Sequence, residues 1–211
     1  MNKLDLRKEL KHLYAPSPGK VEVVEVPEFQ FAMIDGRIEP GKEPGTSPAF
    51  QEALEALYGI SYTLKFMSKL RAESPIDYTV MALEGLWWTA AGEFDFDRKD
   101  KWQWTAMILQ PDHITPAMFQ EGLGQLRRKR GDRPALGQLR LERFHEGLAM
   151  QIMHLGPYAE EPRTIERMMA FAQENGYRLR GRHHEIYLGD PRRTRPEKLK
   201  TILRHPIERA A

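Results

Sequence analysis

The feature that most constrains how this chain folds is an internal repeat, because the second half repeats the order of predicted elements found in the first. The segment LRLERFHEGLAMQIMHLGPY, which starts at Leu139, aligns with VEVVEVPEFQFAMIDGRI, which starts at Val21. A predicted helix and two further strands follow in each half, and KTILRHP, ending at Pro206, matches TAMILQP, ending at Pro111. Each half is therefore predicted to form one strand–helix–strand–strand module.

Local patterns in the first half support this order. Apolar and polar residues alternate in the first segment and predict a strand, a kink at Pro27, and then a second strand or a bent continuation of the first. Ser47 is a candidate N-cap for an amphipathic helix that we predict through Tyr58. Residues 78–86 and 102–109 are rich in Thr, Val, Trp, Met and Ile, which predicts two strands, and the polar GEFDFDRKDK between them is predicted to be a hairpin loop.

The same reasoning applies to the connection between the halves and to the second half. Pro116 starts a predicted helix that ends before Gly131, and Pro162 starts another that Asn175 and the following glycine close. The segment HHEIYL then predicts a strand that corresponds to TVMALE in the first half.

These elements predict a single folded unit with a short extension. We expect an N-terminal helical extension over residues 1–20 and one domain over residues 21–211. That domain consists of two modules, 21–111 and 139–207, joined by a helical linker, 112–138. The predicted fold class is α+β, a pseudo-twofold duplication of the strand–helix–strand–strand module. Its antiparallel sheets should carry the helices on one side and leave a central ligand cleft between the modules.

Composition excludes several classes of protein. With 41% hydrophobic and 29% charged residues, the chain can bury a core, and its formal charge of +2 gives no field that would attract a polyanion. There is no cysteine, so disulfides and thiolate metal sites are excluded. The first residues interrupt their apolar positions with charges, unlike a signal peptide, and no apolar run approaches membrane-spanning length. We expect a cytoplasmic protein that binds neither nucleic acid nor membrane.

The candidate catalytic residue lies in the HHEIYL strand. His183, Glu185 and Tyr187 share one face of that strand by its two-residue period. A carboxylate in an apolar strand can act as a base or can anchor a cationic ligand. The alternative is that Glu185 only hydrogen-bonds a neighbouring tyrosine or backbone group.

Aromatic residues supply the other candidate ligand contacts. All four tryptophans come from the predicted strand pair in the first half. Aligning the halves places Tyr78 opposite His183, and Trp88 has the same parity as Tyr78, so Trp88 is the better candidate than Trp87 unless a bulge at Gly85 reverses the choice. Trp104 is also predicted to line the cleft. Together with Glu185, the predicted ligand-binding residues are Trp88, Trp104, Tyr187, His183, Tyr78 and Tyr158.

We expect no metal and no cofactor. The adjacent histidines of HHEIYL point to opposite faces of a strand, and the sequence has neither HExxH nor HxH spacing. It also has no GxSxG, P-loop or GxGxxG motif, so the usual signatures of a nucleophile elbow and of nucleotide binding are missing.

Four segments together resemble a known family. They are EGLWW, WTAMILQPD, GPYAEEPRTI and HHEIYLGDPRRTRPEKLKTILRHPI. The last of these is the most specific. The chain resembles the GyrI-like small-molecule-binding domain family over nearly all of its length after about residue 20. That resemblance implies two modules related by a pseudo-twofold axis and a glutamate in the central pocket, a role that falls on Glu185. The helix-turn-helix domain of the family's transcription activators is not present in this sequence.

The stand-alone, tryptophan-rich chain is similar to the subgroup that hydrolyses cyclopropane-containing DNA-alkylating cytotoxins, and this resemblance alone supplies the substrate. The leading hypothesis is a hydrolase that binds hydrophobic or aromatic small molecules and uses Glu185 to position or deprotonate water. The alternative is a binding module without turnover, which sequesters drugs or inhibits an enzyme such as gyrase by direct contact. The oligomeric state stays open.

Overall fold

Residues 3–89 and 101–210 are described by a computed structural model, and their elements follow the order that the repeat predicts. The helices are α1 (Leu6–Glu9), α2 (Lys11–Tyr14), α3 (Pro48–Leu70), α4 (Pro116–Arg130), α5 (Pro134–Gln138) and α6 (Glu161–Glu174). The strands are β1 (Glu22–Arg37), β2 (Leu83–Thr89), β3 (Trp102–Leu109), β4 (Arg140–Leu155), β5 (Tyr177–Leu179), β6 (His183–Tyr187) and β7 (Lys200–Arg209). The predicted hairpin loop GEFDFDRKDK lies outside the described residues except for its last lysine.

The sheet closes on itself. Its strand order is β4-β1-β3-β2-β6-β7, every pairing is antiparallel, and β4 also pairs with β7, which completes the ring. The short β5 adds to the end of β7. Exchanging β1 with β4, β2 with β6 and β3 with β7 maps the ring onto itself. The α+β class and the pseudo-twofold duplication are therefore confirmed, and the two modules meet at the β1–β4 and β2–β6 pairs.

The corresponding helices of the two modules, α3 and α6, lie on one face of the sheet. Phe50 of α3 packs on Trp87 and Trp104, while Met168 of α6 packs with Leu203 in a second apolar cluster. The strand register places Trp87 beside His183 and Leu203 beside Glu185, so these contacts are on the face that carries Glu185. Within the described ranges, no helix is long and apolar enough to cross a bilayer.

The structure decides between the alternatives left open at Pro27, in favour of a continuous strand, and moves one predicted helix end. β1 runs through Pro27 without ending, since pairing with β4 continues on both sides of this residue, which has no N–H to donate. The helix predicted to end near Tyr58 continues to Leu70. Gly59, which follows Tyr58, lies inside α3 at the point where α3 approaches α4 closely. An added Cβ at Gly59 would lie only 3.2 Å from the side chain of Leu126 of α4.

The strand predicted at 78–86 begins instead at Leu83. Residues 77–79 pair with the N-terminal segment: Leu4 N–H donates to the Asp77 carbonyl and Thr79 N–H donates to the Leu4 carbonyl, both at 2.9 Å. This stretch is extended, as its composition predicts, but its partner is the N-terminal segment, so it lies outside the ring.

The opposite face of the sheet carries a buried ionic network. His184 lies between two carboxylates, with Nδ1 3.0 Å from Glu146 and Nε2 3.0 Å from Glu84. Arg204 donates to Glu146 at 3.1 Å and also to the carbonyl of Leu13 in α2 at 2.8 Å. The network thus ties the N-terminal segment to the interior of the ring.

Neighbouring charges determine the protonation states of His184 and Glu146 in this network. Burial alone would lower the pKa of His184, but the neighbouring Glu146 and the hydrogen bonds to both carboxylates raise that pKa to about 9. Burial would likewise raise the pKa of Glu146, yet His184 and Arg204 hold it at about 2. The histidine is therefore a cation at neutral pH, and each of its ring nitrogens donates to a carboxylate.

Candidate functional site

A large cavity of about 1810 Å³ opens on the helix-bearing face where the two modules meet. Its inner end is lined by side chains from both modules: Phe50, Leu83, Trp87, Trp102, Tyr158, Glu161, Glu185 and Tyr187. From there it continues along α3, between α4 and the segment 188–193. Aromatic walls with few polar groups are typical of a small-molecule site.

Glu185 is the central polar group of the inner end. Its residue is only 5% exposed, although it lines the cavity. The hydroxyl of Tyr187 donates to Oε2 at 2.6 Å, and Nε2 of His183 lies 3.3 Å from Oε1. Trp87 Nε1–H in turn donates to the Tyr187 hydroxyl at 3.0 Å. The carboxylate is therefore held from both sides, and residues two apart on one strand provide both contacts.

Gly85 makes room for this arrangement on the neighbouring strand. It is the direct cross-strand partner of Glu185. A Cβ at Gly85 would lie 2.8 Å from Trp87 Nε1 and 3.3 Å from the Tyr187 hydroxyl oxygen. Any larger residue would displace the indole that orients Tyr187.

The tyrosines of the inner end stay protonated at neutral pH. Burial, followed by the charge of Glu185, raises the pKa of Tyr187 well above its ordinary value. Burial, followed by the charges of Glu161 and Glu185, raises the pKa of Tyr158 to about 12. The two rings pack edge to face with their centroids 5.8 Å apart. Both phenols are thus neutral hydroxyl groups beside two buried carboxylates.

Three of the residues predicted from sequence line the cavity, namely Glu185, Tyr187 and Tyr158. His183 does not; it is buried behind Glu185, with its ring 5.8 Å from that of His205. Burial, followed by the influence of the neighbouring His183 imidazole, lowers the pKa of His205 to about 3, so His205 remains neutral.

The structure places the other three predicted residues away from the cavity. Trp88 points to the opposite face, where the guanidinium of Arg182 stacks 3.6 Å from its ring centroid. Trp104 is on the helix-bearing face but is covered by Phe50. Tyr78 is buried before β2, with its hydroxyl 3.4 Å from Gln110 Oε1.

The strand register explains this difference. Because β2 starts at Leu83 and pairs Gly85 with Glu185, the odd-numbered residues of β2 share the face of Glu185. Trp87 therefore lines the cavity in place of Trp88, together with its ring neighbour Trp102, 5.2 Å away. Trp104 shares the face of Trp87, its cross-strand partner, and is kept from the cavity by Phe50 and not by register.

Glu161 was not among the predicted residues. It is the first residue of α6, is 2% exposed and lines the same inner end as Glu185. The GPYAEEP segment contains two consecutive glutamates, and only the start of α6 selects between them. Among the described residues, no group of three or more His, Asp or Glu side chains is arranged to hold a metal ion.

The described fold and cavity match a family of binding domains. The description GyrI-like small molecule binding domain matches residues 19–208, nearly the whole chain. The chain belongs to this GyrI-like family. No curated protein matches it.

Among solved structures, the GyrI-like chain is similar to proteins from Listeria innocua. An uncharacterized conserved protein from this organism is 40% identical, with a TM-score of 0.87, and the match covers 98% of this chain and 100% of that one. A Listeria innocua protein described as a hydrolase is also 40% identical over the same shares, with a TM-score of 0.84. The C-terminal domain of EcmrR shares only the fold, at 12% identity and a TM-score of 0.55, with 90% of this chain and 98% of that domain covered.

Proposed function

We propose that this chain is a hydrolase that opens electrophilic cyclopropane rings in hydrophobic, aromatic cytotoxins by adding water. The observation that carries this proposal is Glu185, a buried carboxylate held by Tyr187 and His183 at the inner end of an aromatic cavity. The hydrolase named among the similar Listeria structures supports the reaction type. The substrate class comes from the resemblance to the subgroup that detoxifies such compounds.

The chemistry requires one positioned base and a binding surface. Water loses a proton to the Glu185 carboxylate while its oxygen bonds to a ring carbon. The strained C–C bond breaks, and its electron pair passes to the electron-withdrawing group conjugated with the ring, which then takes up a proton. The product is the water adduct, and release of ring strain drives the reaction. Trp87 and Trp102 supply aromatic faces that stabilise positive character at the attacked carbon.

Replacing the carboxylate by its amide tests this role. Glu185→Gln keeps the shape of the side chain but cannot accept a proton from water, so we expect turnover to fall at least ~10²-fold while affinity for an unreactive analogue is kept. The measurement is single-turnover hydrolysis with enzyme in excess, together with direct binding of that analogue. Wild-type hydrolysis no faster than buffer would reject the proposal for the compound tested.

A second candidate function is binding without turnover, by which the protein would sequester drugs. The observation that favours it is that Glu161 and Glu185, both buried, share the inner end with Tyr158 and Tyr187, an arrangement suited to an aromatic cation. In that case Glu185→Gln lowers affinity, and the bound compound is recovered unchanged. Either function, in the cytoplasm, would protect the cell from toxic small molecules.

A further inference from the structure

A buried histidine near the end of β4 holds the connection between β4 and α6. His154 is 4% exposed, and strand pairing places it in one cross-strand row with Thr201 of β7 and Tyr187 of β6, on the helix-bearing face. Its Nδ1 lies 2.9 Å from the hydroxyl oxygen of Thr164 in α6. Its Nε2 lies 3.2 Å from the carbonyl oxygen of Pro157. We call these two hydrogen bonds the His154 clamp, because they join the connection to the sheet.

Chemistry fixes the direction of both hydrogen bonds. A carbonyl oxygen can only accept, so Nε2–H of His154 donates to Pro157. In the neutral ring, Nδ1 then accepts from the Thr164 hydroxyl. His154 itself does not line the cavity. The clamp therefore acts on the site only through the residues that it holds.

The start of α6 depends on the clamp because this helix lacks a side-chain cap. Ser47 and Thr115 cap α3 and α4, and each accepts from a backbone N–H of the first turn. Glu160, at the same position before α6, makes no side-chain cap hydrogen bond. Thr164 is the fourth residue of α6, so its hydrogen bond to His154 ties the first turn of the helix to the sheet.

The clamped connection carries one wall of the inner end of the cavity. Tyr158 and Glu161 both line the cavity, and Glu161 is only 2% exposed. Pro157 directly precedes Tyr158, and Glu161 lies three residues before Thr164. Glu185 belongs to β6 and is positioned separately. The clamp thus sets where one wall lies relative to the carboxylate on the other.

We propose that His154 is a positioning residue that fixes the wall formed by Tyr158 and Glu161 opposite Glu185, and thereby determines how tightly the inner end binds an aromatic ligand. This inference rests on the proposed function for the class of ligand, and it adds to the site a residue outside the cavity. Tyr187 and His183 hold Glu185 without the clamp. Loss of the clamp should therefore weaken binding more than it slows the chemical step.

The sharpest test removes the hydroxyl partner of His154. Thr164→Val has nearly the same shape but cannot donate to Nδ1, so the first turn of α6 loses its tie to the sheet. With an aryl-substituted, carbonyl-activated cyclopropane as substrate, we expect KM to rise roughly fivefold or more and kcat to change less than about twofold. His154→Phe removes both hydrogen bonds and should raise KM at least as much. Adding Thr164→Val to His154→Phe should then have little further effect, since both act on one clamp.

Ser68→Ala is the matched control. The Ser68 hydroxyl oxygen lies 2.8 Å from Nε2 of His113, and neither residue lines the cavity. This substitution also breaks a hydrogen bond between a hydroxyl and a histidine, so it should lower stability but leave KM unchanged.

A second measurement needs no ligand. Burial, followed by the charges of Glu161 and Glu185, raises the pKa of Tyr158 to about 12. Once the clamp is lost, we expect Tyr158 to become more exposed and its pKa to fall toward the ordinary value of about 10. Ultraviolet absorbance would then detect one additional phenolate at about pH 11. Combining Thr164→Val with Tyr158→Phe should remove this signal, which assigns it to Tyr158.

These measurements separate the inference from the proposed function. If Thr164→Val lowers the midpoint of unfolding but changes neither KM nor the tyrosine titration, His154 is only structural and the inference is overturned. A loss confined to kcat, or an equal rise of KM in Ser68→Ala, would also overturn it. If the wild type hydrolyses nothing, the hydrolase proposal fails. The tyrosine titration, together with calorimetry of an unreactive aryl cyclopropane, then still decides the role of His154.

Discussion

Tyr187 has two hydrogen-bonding roles at once, because its hydroxyl accepts from Trp87 and donates to Glu185. The direction of this chain is fixed by chemistry: an indole N–H can only donate, so the phenol proton is left for the carboxylate. A residue two positions away on the same strand thereby fixes the orientation of the proposed base.

This chain of donors predicts the effect of Tyr187→Phe. The substitution removes the donor to Glu185 and leaves Trp87 Nε1–H without its acceptor, so the carboxylate loses its fixed orientation. We expect kcat to fall roughly tenfold or more, with a smaller change in KM, because orientation matters most in the transition state. Steady-state kinetics on a cyclopropane electrophile is the measurement. Tyr177→Phe, on β5 outside the cavity, is the control, and an equal loss there would contradict the assigned role.

At this scale, the sequence predicts which residues share a face of β6, but it does not predict where β2 begins or which of its tryptophans faces the cavity. The face shared by His183, Glu185 and Tyr187 follows from the two-residue period, since that strand is short and its boundaries are clear. The face of Trp88 depended on where β2 begins, and pairing of Leu4 with residues 77–79 decides that boundary. A contact more than seventy residues distant in sequence cannot be inferred from a local pattern.

The structural role of the N-terminal segment was not apparent from its amino-acid composition. Its short α1 and α2 were predicted as an extension, but α2 is bound to the sheet by specific hydrogen bonds. The carbonyls of His12 and Leu13 accept from Gln151 and Arg204, both at 2.8 Å, and the Tyr14 hydroxyl donates to Glu84 at 2.8 Å. These contacts make the segment part of the core.

Tyr14→Phe tests how much this attachment stabilises the fold. The substitution keeps the ring but leaves one oxygen of the buried Glu84 without its donor, which typically costs about 1–3 kcal/mol. We expect a lower midpoint in urea unfolding with an unchanged slope. Tyr62→Phe, which removes a hydroxyl from an exposed side chain, is the control. A midpoint equal to that of the wild type would show that Glu84 finds another donor.

For the whole molecule, the His184 network predicts how stability depends on pH. The pKa of His184 in the folded state, about 9, lies above its ordinary value, so the stabilisation from its charge is complete below pH ~6.5 and is lost as the pH rises through about 9. The pKa of Glu146, about 2, lies below its ordinary value, so its contribution is lost only as the pH falls toward 2. The network stabilises the fold most between about pH 5 and 7.

His184→Gln should remove this dependence. The variant leaves Glu84 and Glu146 buried with one fewer cation, and breaking a buried ion pair costs about 3–5 kcal/mol. We expect the difference in unfolding free energy between wild type and variant to be largest near pH 6 and to shrink by pH 9.5. Urea titrations at a series of pH values measure it, and a difference that is constant from pH 6 to 9.5 would contradict a charged His184.

The repeat predicted the modules and their order, but it did not predict that the sheet closes. Closure needs β4 to pair with β1 along one part and with β7 along another, which depends on its length of 16 residues and on Gly147, whose φ of +73° suits glycine. A module pattern alone is satisfied by an open sheet as well as by a ring.

The pairing of Gly85 with Glu185 has a consequence for why both modules are in one chain. These residues face each other on β2 and β6, the strands at which the two modules meet. A dimer of identical modules would have to place the same residue on both strands, and would therefore bring two glutamates or two glycines to the centre of the cavity. Two carboxylates so close would share a proton, whereas two glycines would supply no base. Fusion into one polypeptide lets one module carry the charge while the other provides the space for it.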